Sequence, residues 1–256
     1  MVNGNRKISV CMATRNGASF IRHQLASIIS QLGPDDEIVI SDDSSTDATL
    51  TIIKSFADPR IHLLENNTFH NPIFNAENAM RHAQGAIIVL ADQDDIWLDG
   101  KLNLIRERLG SVQGQIRLLM MDGEIIDEHD AVLAGSIFDH IGVRGGVLRN
   151  IYDNKYVGCC LAFTRELLEI ALPFPQRIPM HDMWLGILAE LFGEVEFVRE
   201  KTIRYRRHPG SATNLKFRFL PWTQIKRRVF LSVALVGRWL GLKAGTRDWG
   251  LGTRNR

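Results

Sequence analysis

The segment Ala86-Ile87-Ile88-Val89-Leu90-Ala91, followed at once by Asp92-Gln93-Asp94-Asp95, decides the fold class of this chain. A short β-branched run bounded by turn residues is typical of a buried parallel strand. Ligands of open α/β sheets bind just beyond the carboxyl ends of such strands, where these four polar residues lie. Clustered carboxylates are suitable ligands for Mg²⁺ or Mn²⁺, and such a cation can in turn bind a phosphorylated substrate. A solvated acidic loop, in which Asp caps a helix starting near Asp99, explains the same residues.

The first half of the chain alternates strand-like and helix-like segments, which predicts βαβ units in an α/β protein with a mostly parallel sheet flanked by helices. Apolar spacing, helix caps and breakers give the bounds. We expect strands at 7–12, 37–41, 60–65, 86–91, 116–121, 194–198 and 202–206, and helices at 19–31, 46–56, 76–83, 101–109 and 182–191. Five glycines without a regular period predict a functional loop between residues 135 and 158.

The composition is that of an ordinary folded protein, with 256 residues, 45% of them hydrophobic and 23% charged. No apolar run reaches the ~18 residues that a membrane-spanning helix needs, and the polar start does not fit a signal peptide. Cys11, Cys159 and Cys160 lack zinc-type spacing and indicate a reducing compartment. The sequence therefore predicts a cytoplasmic location.

The charge is distributed unevenly along the chain. Residues 199–256 contain 15 Lys and Arg against two acidic residues, a balance of +13, which leaves −11 for the preceding residues in a chain of net charge +2. From about Pro221 basic and apolar residues alternate, as in a basic amphipathic helix. Two interpretations stay open: peripheral contact with an anionic membrane at its inner face, or a helix packed on the body with its Arg face in water. No nucleic-acid-binding motif accompanies the charge.

Three acidic sites are predicted to meet at one edge of the sheet: residues 41–47 after the second strand, residues 92–95, and residues 180–184 at a helix start. Asp182 fits a general base, a role worth about 10²–10⁴ in rate, although a helix cap explains it equally well. Asp42 and Asp43 exceed what a cap requires, which favours a ligand contact. The absence of dinucleotide, P-loop and nucleophile-elbow motifs argues against those three chemistries.

In order along the chain, these motifs resemble glycosyltransferase family 2, inverting enzymes with the GT-A fold. The matching segments are Ser9-Val10-Cys11-Met12-Ala13-Thr14-Arg15-Asn16-Gly17, Ser41-Asp42-Asp43-Ser44-Ser45-Thr46-Asp47, Asp92-Gln93-Asp94-Asp95-Ile96-Trp97, Gly158-Cys159-Cys160, His181-Asp182-Met183-Trp184-Leu185-Gly186 and Tyr205-Arg206-Arg207-His208. The D-Q-D-D-x-W and H-D-M-W segments are similar to the rhamnosyltransferase-like branch of bacterial surface-polysaccharide transferases. Arg15 departs from the family pattern at a position where an aromatic residue is common, and Ser44 replaces the usual Gly of D-D-G-S.

The resemblance implies an inverting, divalent-metal-dependent hexosyltransferase. Its donor would be a nucleotide-diphosphate sugar such as dTDP-rhamnose or a UDP-sugar, and its acceptor a glycan or a lipid-linked saccharide. The fold implied is a GT-A-type, Rossmann-like sheet over residues 1–215, with a nucleotide-binding half at 1–110 and an acceptor-side half at 111–215. Residues 216–256 would form the basic amphipathic C-terminal segment.

The resemblance also implies roles for particular residues. Asp182 would be the catalytic base, and Asp94 of the D-x-D motif would bind Mn²⁺ or Mg²⁺ together with His208. The donor would be bound by Thr14, Asn16, Asp42, Asp43, Asp92, Gln93 and Arg207. Two other functions remain open: a metal-dependent nucleotidyltransferase, which needs a triphosphate signature that the first strand lacks, and a non-catalytic membrane-associated scaffold with the same fold.

Overall fold

The structure, a computed structural model, describes residues 6–208 and 222–243. Its strands are β1 (Ile8–Thr14), β2 (Glu37–Asp42), β3 (Ile61–Leu64), β4 (Ile87–Ala91), β5 (Ile96–Trp97), β6 (Arg117–Ile126), β7 (Val132–Ala134), β8 (Leu161–Thr164) and β9 (Glu194–Arg206). Its helices are α1 (Ile21–Ile29), α2 (Thr49–Ser55), α3 (Pro72–His82), α4 (Lys101–Leu109), α5 (Ile137–Ile141), α6 (Val147–Tyr152), α7 (Arg165–Ala171), α8 (His181–Phe192) and α9 (Trp222–Lys243).

The described strands form one sheet in the order β3-β2-β1-β4-β8-β6-β9-β5, with β7 paired to β6. The first four strands are mutually parallel, and β6 and β9 run in the same direction as they do. Strands β2 and β4 are buried along their whole length, as expected where helices cover both faces of a sheet. The prediction of a mostly parallel sheet flanked by helices is thus confirmed.

The short strand β5 forms one edge of the sheet, although the strand before it in sequence, β4, lies in the middle. It follows β4 in sequence, yet it pairs antiparallel with β9 at the far edge, with Ile96 opposite Arg204 and Trp97 opposite Ile203. The acidic residues 92–95 therefore lie on the connection that crosses from the nucleotide-side strands to the last strand of the sheet.

Two predicted elements have other bounds in the structure. Helix α3 begins at Pro72 rather than at residue 76, because the Asn71 side chain accepts from Ile73 N (2.9 Å) and proline needs no hydrogen bond in the first turn. The two short strands expected at 194–198 and 202–206 are one strand, β9. Irregular register around Asp122 of β6 lets β9 continue past its exposed polar centre.

The glycine-rich segment between residues 135 and 158 is not a structureless loop. It contains α5 and α6, which are separated by Gly142 in the left-handed conformation (φ 63°). Short helices of five and six residues were missed because they are too short to show a helical period.

Helix α9 packs on the body through one face. Leu231, Ala234 and Leu235 are buried in the common core, and the guanidinium of the buried Arg238 donates to the carbonyls of Leu172 (3.0 Å) and Pro173 (2.7 Å). The packed-helix interpretation is therefore right about the contact; of its basic residues Lys226 is exposed as expected, whereas Arg238 points inward. Within the described residues, no helix combines the length and apolar character needed to cross a bilayer. The expected boundary at residue 216 lies outside the described residues, and the domain division stays a prediction.

Candidate active site

A cavity of about 610 Å³ opens at the carboxyl ends of β1 and β4. One wall carries Thr14 at the end of β1 and Asp43 just after β2. The cavity is also lined by Asp92, Gln93 and Asp94 after β4 and by Asp182 of α8, whose charge acts on Asp92. All three acidic sites thus face one cavity, as expected where neighbouring parallel strands end at the same edge.

Asp92 opens to the solvent of the cavity, yet protein atoms and other carboxylates surround it. Burial among these atoms, together with the charges of Asp94 and Asp182, raises its pKa to about 7. Burial also raises the pKa of Asp95 well above its usual range, with Asp94 and Asp92 adding to the effect. So many carboxylates in one place favour a bound cation, because a cation relieves their mutual repulsion.

The buried wall behind these acids is formed by Asp95, Cys159 and Lys101. Asp95 Oδ1 accepts from Arg206 N (2.9 Å), whereas its buried Oδ2 has no nitrogen or oxygen partner among the described residues. One ligand atom each of Asp92, Asp95 and Cys159 lies within 4.8 Å of the others. A hydrogen bond with Cys160 and burial raise the pKa of Cys159 well above its usual value, so the thiol stays protonated. Lys101, buried over the Trp97 ring, donates to Cys159 O (3.0 Å).

Asp94 and His208 meet at the cavity edge. His208 Nε2 lies 2.8 Å from Asp94 Oδ2, and its ring packs against Phe20 at a centroid distance of 5.3 Å. A carboxylate and an imidazole already in contact are ligands that Mn²⁺ accepts, and carboxylates are what Mg²⁺ prefers. The oxygen and imidazole donors therefore fit a hard divalent cation at Asp94, with Asp92 nearby, better than the thiol of Cys159 does, since such cations prefer oxygen to sulfur.

Arg206 holds the acidic loop in place, a role that sequence reasoning missed. Its Nε donates to Asp94 O (2.8 Å), its Nη1 donates to Asp127 O (2.9 Å), and its Nη2 pairs with Asp130 (2.7 Å). The neighbouring Arg207, expected at the donor, is not part of the cavity wall, and its Nη1 donates to Tyr205 OH (3.0 Å). The motif at 205–208 thus contributes Tyr205, Arg206 and His208 to the cavity, but not Arg207.

Gln93 links the loop after β1 to the loop after β4. Its Nε2 donates to Arg15 O (3.0 Å), and its Oε1 accepts from Arg15 N (3.0 Å). A Cβ on Gly17 would lie 2.3 Å from Gln93 Oε1, so the close approach requires glycine. Gln93 therefore shapes the donor side of the cavity through the backbone of Arg15.

Asp42, expected to contact the nucleotide, lies fully buried behind the cavity wall. Its carboxylate accepts from Thr14 Oγ1 (2.9 Å), Ser45 N (2.8 Å) and Ser45 Oγ (2.6 Å). Asn16 likewise lies outside the cavity wall and accepts from Thr46 N (2.8 Å) through Oδ1. Both residues thus hold the loop after β2 in position, because their acceptors are already used within the protein.

Asp43 and Asn75 form the inner wall on this side. Asp43 accepts from Phe69 N (2.7 Å) and Asn71 N (3.3 Å). Asn75 of α3 donates to Thr14 O (3.1 Å), and its buried Oδ1 has no partner among the described residues. Sequence reasoning missed Asn75, although its lining position and spare acceptor suit an N–H donor on a ligand.

The structure shows how Ser44 replaces the glycine that is usual at this position of the family motif. Ser44 adopts a left-handed conformation (φ 57°), in which glycine is more comfortable. Its Oγ donates to Asn67 O (2.6 Å), a hydrogen bond that glycine could not make. The serine therefore keeps the loop shape that the usual glycine provides and adds a contact to the segment after β3.

Asp182 lies in the first turn of α8 and is 8% exposed. The residue that caps this helix is Met180, so the cap interpretation of Asp182 is wrong. Its Oδ1 accepts from Met183 N (2.5 Å) and from Asn154 Nδ2 (3.2 Å), and burial raises its pKa to about 7. The neighbouring His181 has a pKa lowered to about 4 by burial and is therefore neutral. A carboxyl that titrates near neutral pH in a cavity has the properties of a general base.

Comparison with known proteins adds independent findings. The family model described as "Glycosyl transferase family 2" matches residues 9–168. The putative teichuronic acid biosynthesis glycosyltransferase TuaG of Bacillus subtilis (strain 168) is 31% identical over 202 residues, which cover 75% of this chain and 76% of that protein. The UDP-Glc:alpha-D-GlcNAc-diphosphoundecaprenol beta-1,3-glucosyltransferase WfgD of Escherichia coli is 26% identical over 185 residues, 72% of this chain and 70% of WfgD.

Two solved structures share the fold. S. aureus TarS 1–349 in complex with UDP-GlcNAc has a TM-score of 0.67 at 19% identity, covering 89% of this chain and 66% of that one. The mannosyltransferase PcManGT from Pyrobaculum calidifontis, in complex with GDP-Man and Mn²⁺, has a TM-score of 0.57 at 22% identity, covering 77% and 55%. The chain thus spans less than the full length of both. At these identities the likeness shows the fold, and it confirms the expected GT-A-type sheet.

Proposed function

The chain belongs to glycosyl transferase family 2 and is a glycosyltransferase, and from this premise we propose that it moves a sugar from a nucleotide-diphosphate donor to a lipid-linked saccharide, with inversion, in bacterial surface-polysaccharide synthesis. The observation that carries the proposal is that one cavity brings Asp182 together with Asp92, Asp94, Thr14 and Asp43. A donor site and a base in the same cavity suit a single in-line displacement, which requires one base rather than the paired carboxylic acids of a glycosidase.

We assign the nucleoside to the wall formed by Thr14, Asp43 and Asn75. The spare Oδ1 of Asn75 is an acceptor for an N–H of the base. A UDP-sugar is the donor class we favour over dTDP-rhamnose, because two relatives from Escherichia coli are UDP-glucose-dependent transferases by name and TarS was solved with UDP-GlcNAc. Asp42 and Asn16 support this wall from behind.

We assign a divalent cation to Asp94 and His208, with Asp92 nearby. When bound, Mn²⁺ or Mg²⁺ would supply Lewis-acid stabilisation of the charge that develops on the departing diphosphate. The chain's own contribution is to hold these side chains in place: Arg206 fixes the backbone of Asp94, and Phe20 packs against the His208 ring.

We assign the acceptor to the wall formed by Asn154, His181 and Asp182. Asp182 would take the proton of the acceptor hydroxyl while that oxygen attacks the anomeric carbon from the face opposite the diphosphate. Asn154 Nδ2 and Met183 N donate to Oδ1 and so hold the carboxyl in position. Neutral His181 adds a polar group without adding a positive charge beside the base.

The acceptor class follows from the relatives. WfgD is named for an acceptor built on diphosphoundecaprenol, and a Campylobacter jejuni relative for one on PP-undecaprenol. A polyprenyl-diphosphate-linked saccharide is therefore the acceptor we propose for this chain.

Calorimetric titration of the purified protein with UDP, GDP and dTDP, each with Mn²⁺ and again with EDTA, tests the donor site. We expect UDP to bind in the presence of Mn²⁺ and to bind at least tenfold more weakly in EDTA. Binding of GDP or dTDP alone would reassign the nucleotide. Failure of all three nucleotides to bind would contradict the donor site and favour a non-catalytic scaffold.

A further inference from the structure

Helix α9 is apolar on two opposite faces. Leu231, Ala234 and Leu235 are buried against the body, whereas Val229, Val233, Val236 and Leu240 form a second stripe at helical spacing, with exposed fractions of 60, 58, 55 and 54%. A helix with one face on the core normally presents polar residues on the other. The second stripe therefore marks a surface that another apolar phase covers.

Helix α6 lies beside α9 and has exposed apolar residues of its own. It contacts α9 where Arg228 Nε donates to Ile151 O (2.6 Å). Leu148 and Tyr152, one turn apart on α6, are 82% and 58% exposed. The α6–α9 surface is defined here by these two residues together with Val229, Val233, Val236 and Leu240.

The charges around this surface are all of one sign on α9. Between Trp222 and Lys243 the sequence has five Lys and Arg and no acidic residue, within a C-terminal stretch of net charge +13. Lys226 on α9 and Arg149 on α6 are exposed. Apolar side chains bordered by cations match a membrane interface that contains anionic lipid.

The position of the surface relates it to the cavity. The residues that follow α6 directly, from Asp153 to Val157, line the cavity wall next to Asp182, and Asn154 among them bonds to the Asp182 carboxylate. An acceptor that reaches Asp182 from this side would have its lipid next to α6 and α9.

We propose that the α6–α9 surface docks the protein on an anionic lipid bilayer and turns the acceptor end of the cavity toward it. The part that concerns the acceptor rests on the proposed function, whereas the docking itself rests on the exposed residues. A second copy of the chain fits this surface less well, because pairing two α9 helices places cations against cations without any acid on either helix.

Sedimentation with vesicles tests the docking. The intact protein is mixed at low salt either with phosphatidylcholine vesicles or with vesicles that also contain about 30% phosphatidylglycerol, which is on the order of the anionic lipid content of a biological membrane. The variant V233E/V236E places two carboxylates on the stripe. The matched control V132E/L133E changes two residues of β7 that are exposed to a similar degree, 54 and 61%. Circular dichroism and UDP titration show that each variant is folded.

We expect the wild-type protein and the β7 control to bind the anionic vesicles, and V233E/V236E to bind them at least about tenfold more weakly. Neutral vesicles and high salt should weaken wild-type binding. The docking proposal is overturned if the wild-type protein stays in the supernatant, if both double variants lose binding equally, or if light scattering shows a dimer that V233E/V236E dissociates. UDP titration separates this result from failure of the proposed function, since donor binding does not need α9.

Discussion

Asn154 Nδ2 lies 3.2 Å from Asp182 Oδ1, so a side chain from the segment after α6 holds the carboxylate that we assign as the base. The same Asn154 is itself fixed by the backbone of Tyr156, to whose carbonyl it donates (3.2 Å) and from whose N–H it accepts (3.1 Å). The ionised form of Asp182 is thereby favoured against the burial that disfavours it.

N154D should change the pH dependence of the reaction. It keeps an acceptor for Tyr156 N but replaces the donor to Asp182 with a second carboxylate, which raises the pKa of Asp182. We expect the acid limb of the kcat profile to move up by about one pH unit or more, while the KM for the donor stays unchanged. A limb at the wild-type position, measured in the same buffers, would show that Asn154 does not position the base.

D182N should lower turnover at least about 100-fold, because the acceptor hydroxyl loses its general base. Donor affinity by calorimetry should stay close to wild type, since we assign Asp182 to the acceptor and not to the donor. D139N, which changes an exposed acid of α5, serves as the control and should retain full turnover. Wild-type turnover in D182N would remove Asp182 from the mechanism.

D182N should also make the protein more stable at high pH. Burial raises the Asp182 pKa to about 7, against about 3.9 in an unfolded chain. The folded state therefore holds this proton more tightly than the unfolded chain does. The contribution of Asp182 to the free energy of unfolding is thus most favourable below about pH 4 and is lost as the pH rises through 7. The amide in D182N cannot ionise and so avoids this loss. The free energy of unfolding of D182N should exceed that of the wild-type protein by up to about 4 kcal/mol at pH 8 and by roughly a third of that at pH 5. Urea unfolding in EDTA measures the difference; equal stability at pH 8 would refute the assignment.

D94A and H208A should each weaken Mn²⁺-dependent UDP binding, D94A the more strongly, by about 10- to 100-fold. Binding measured in EDTA should change little, because the cation is then absent from both proteins. H23A, on the exposed side of α1, is the matched histidine control. If H208A binds UDP with Mn²⁺ as tightly as wild type does, His208 is not a cation ligand.

G17A and Q93A should have similar and non-additive effects. A Cβ at Gly17 displaces Gln93 Oε1, and displacement breaks the two hydrogen bonds with Arg15, a loss of about 1–2 kcal/mol of unfolding free energy. In G17A/Q93A those bonds are already gone, so the double variant should be about as stable as either single one. Additive losses in thermal unfolding would mean that Gly17 has another role.

The sequence predicted the strand ends and their acids because both depend on local signals. The buried run 86–91 and its flanking acids lie within ten residues of one another, and the order of βαβ units places neighbouring strand ends together. The positions of Thr14, Asp43, Asp92 and Asp94 in the cavity follow from that order alone.

The remaining site residues depend on contacts between distant parts of the chain. Asn154 reaches Asp182 across 28 residues, and Arg206 N reaches Asp95 across 111. Asp42 has the same neighbours in sequence as Asp43, yet strand alternation turns it toward Thr14 and Ser45 and away from the cavity. Sequence spacing carries no signal for the contacts of Asn154 and Arg206, because tertiary packing decides them, whereas the Asp42–Asp43 difference follows the period-2 alternation of a strand.

The pairing of β5 with β9 limits how this enzyme can be recombined. Exchanging everything after residue 110 for the corresponding part of a relative, in order to alter acceptor choice, would give β5 a foreign partner strand and would remove the Arg206 contacts to Asp94 and Asp95. Donor chemistry would then fail together with acceptor recognition. A viable chimaera needs narrower exchanges that keep β5, β9 and the Arg206 contacts from the same protein.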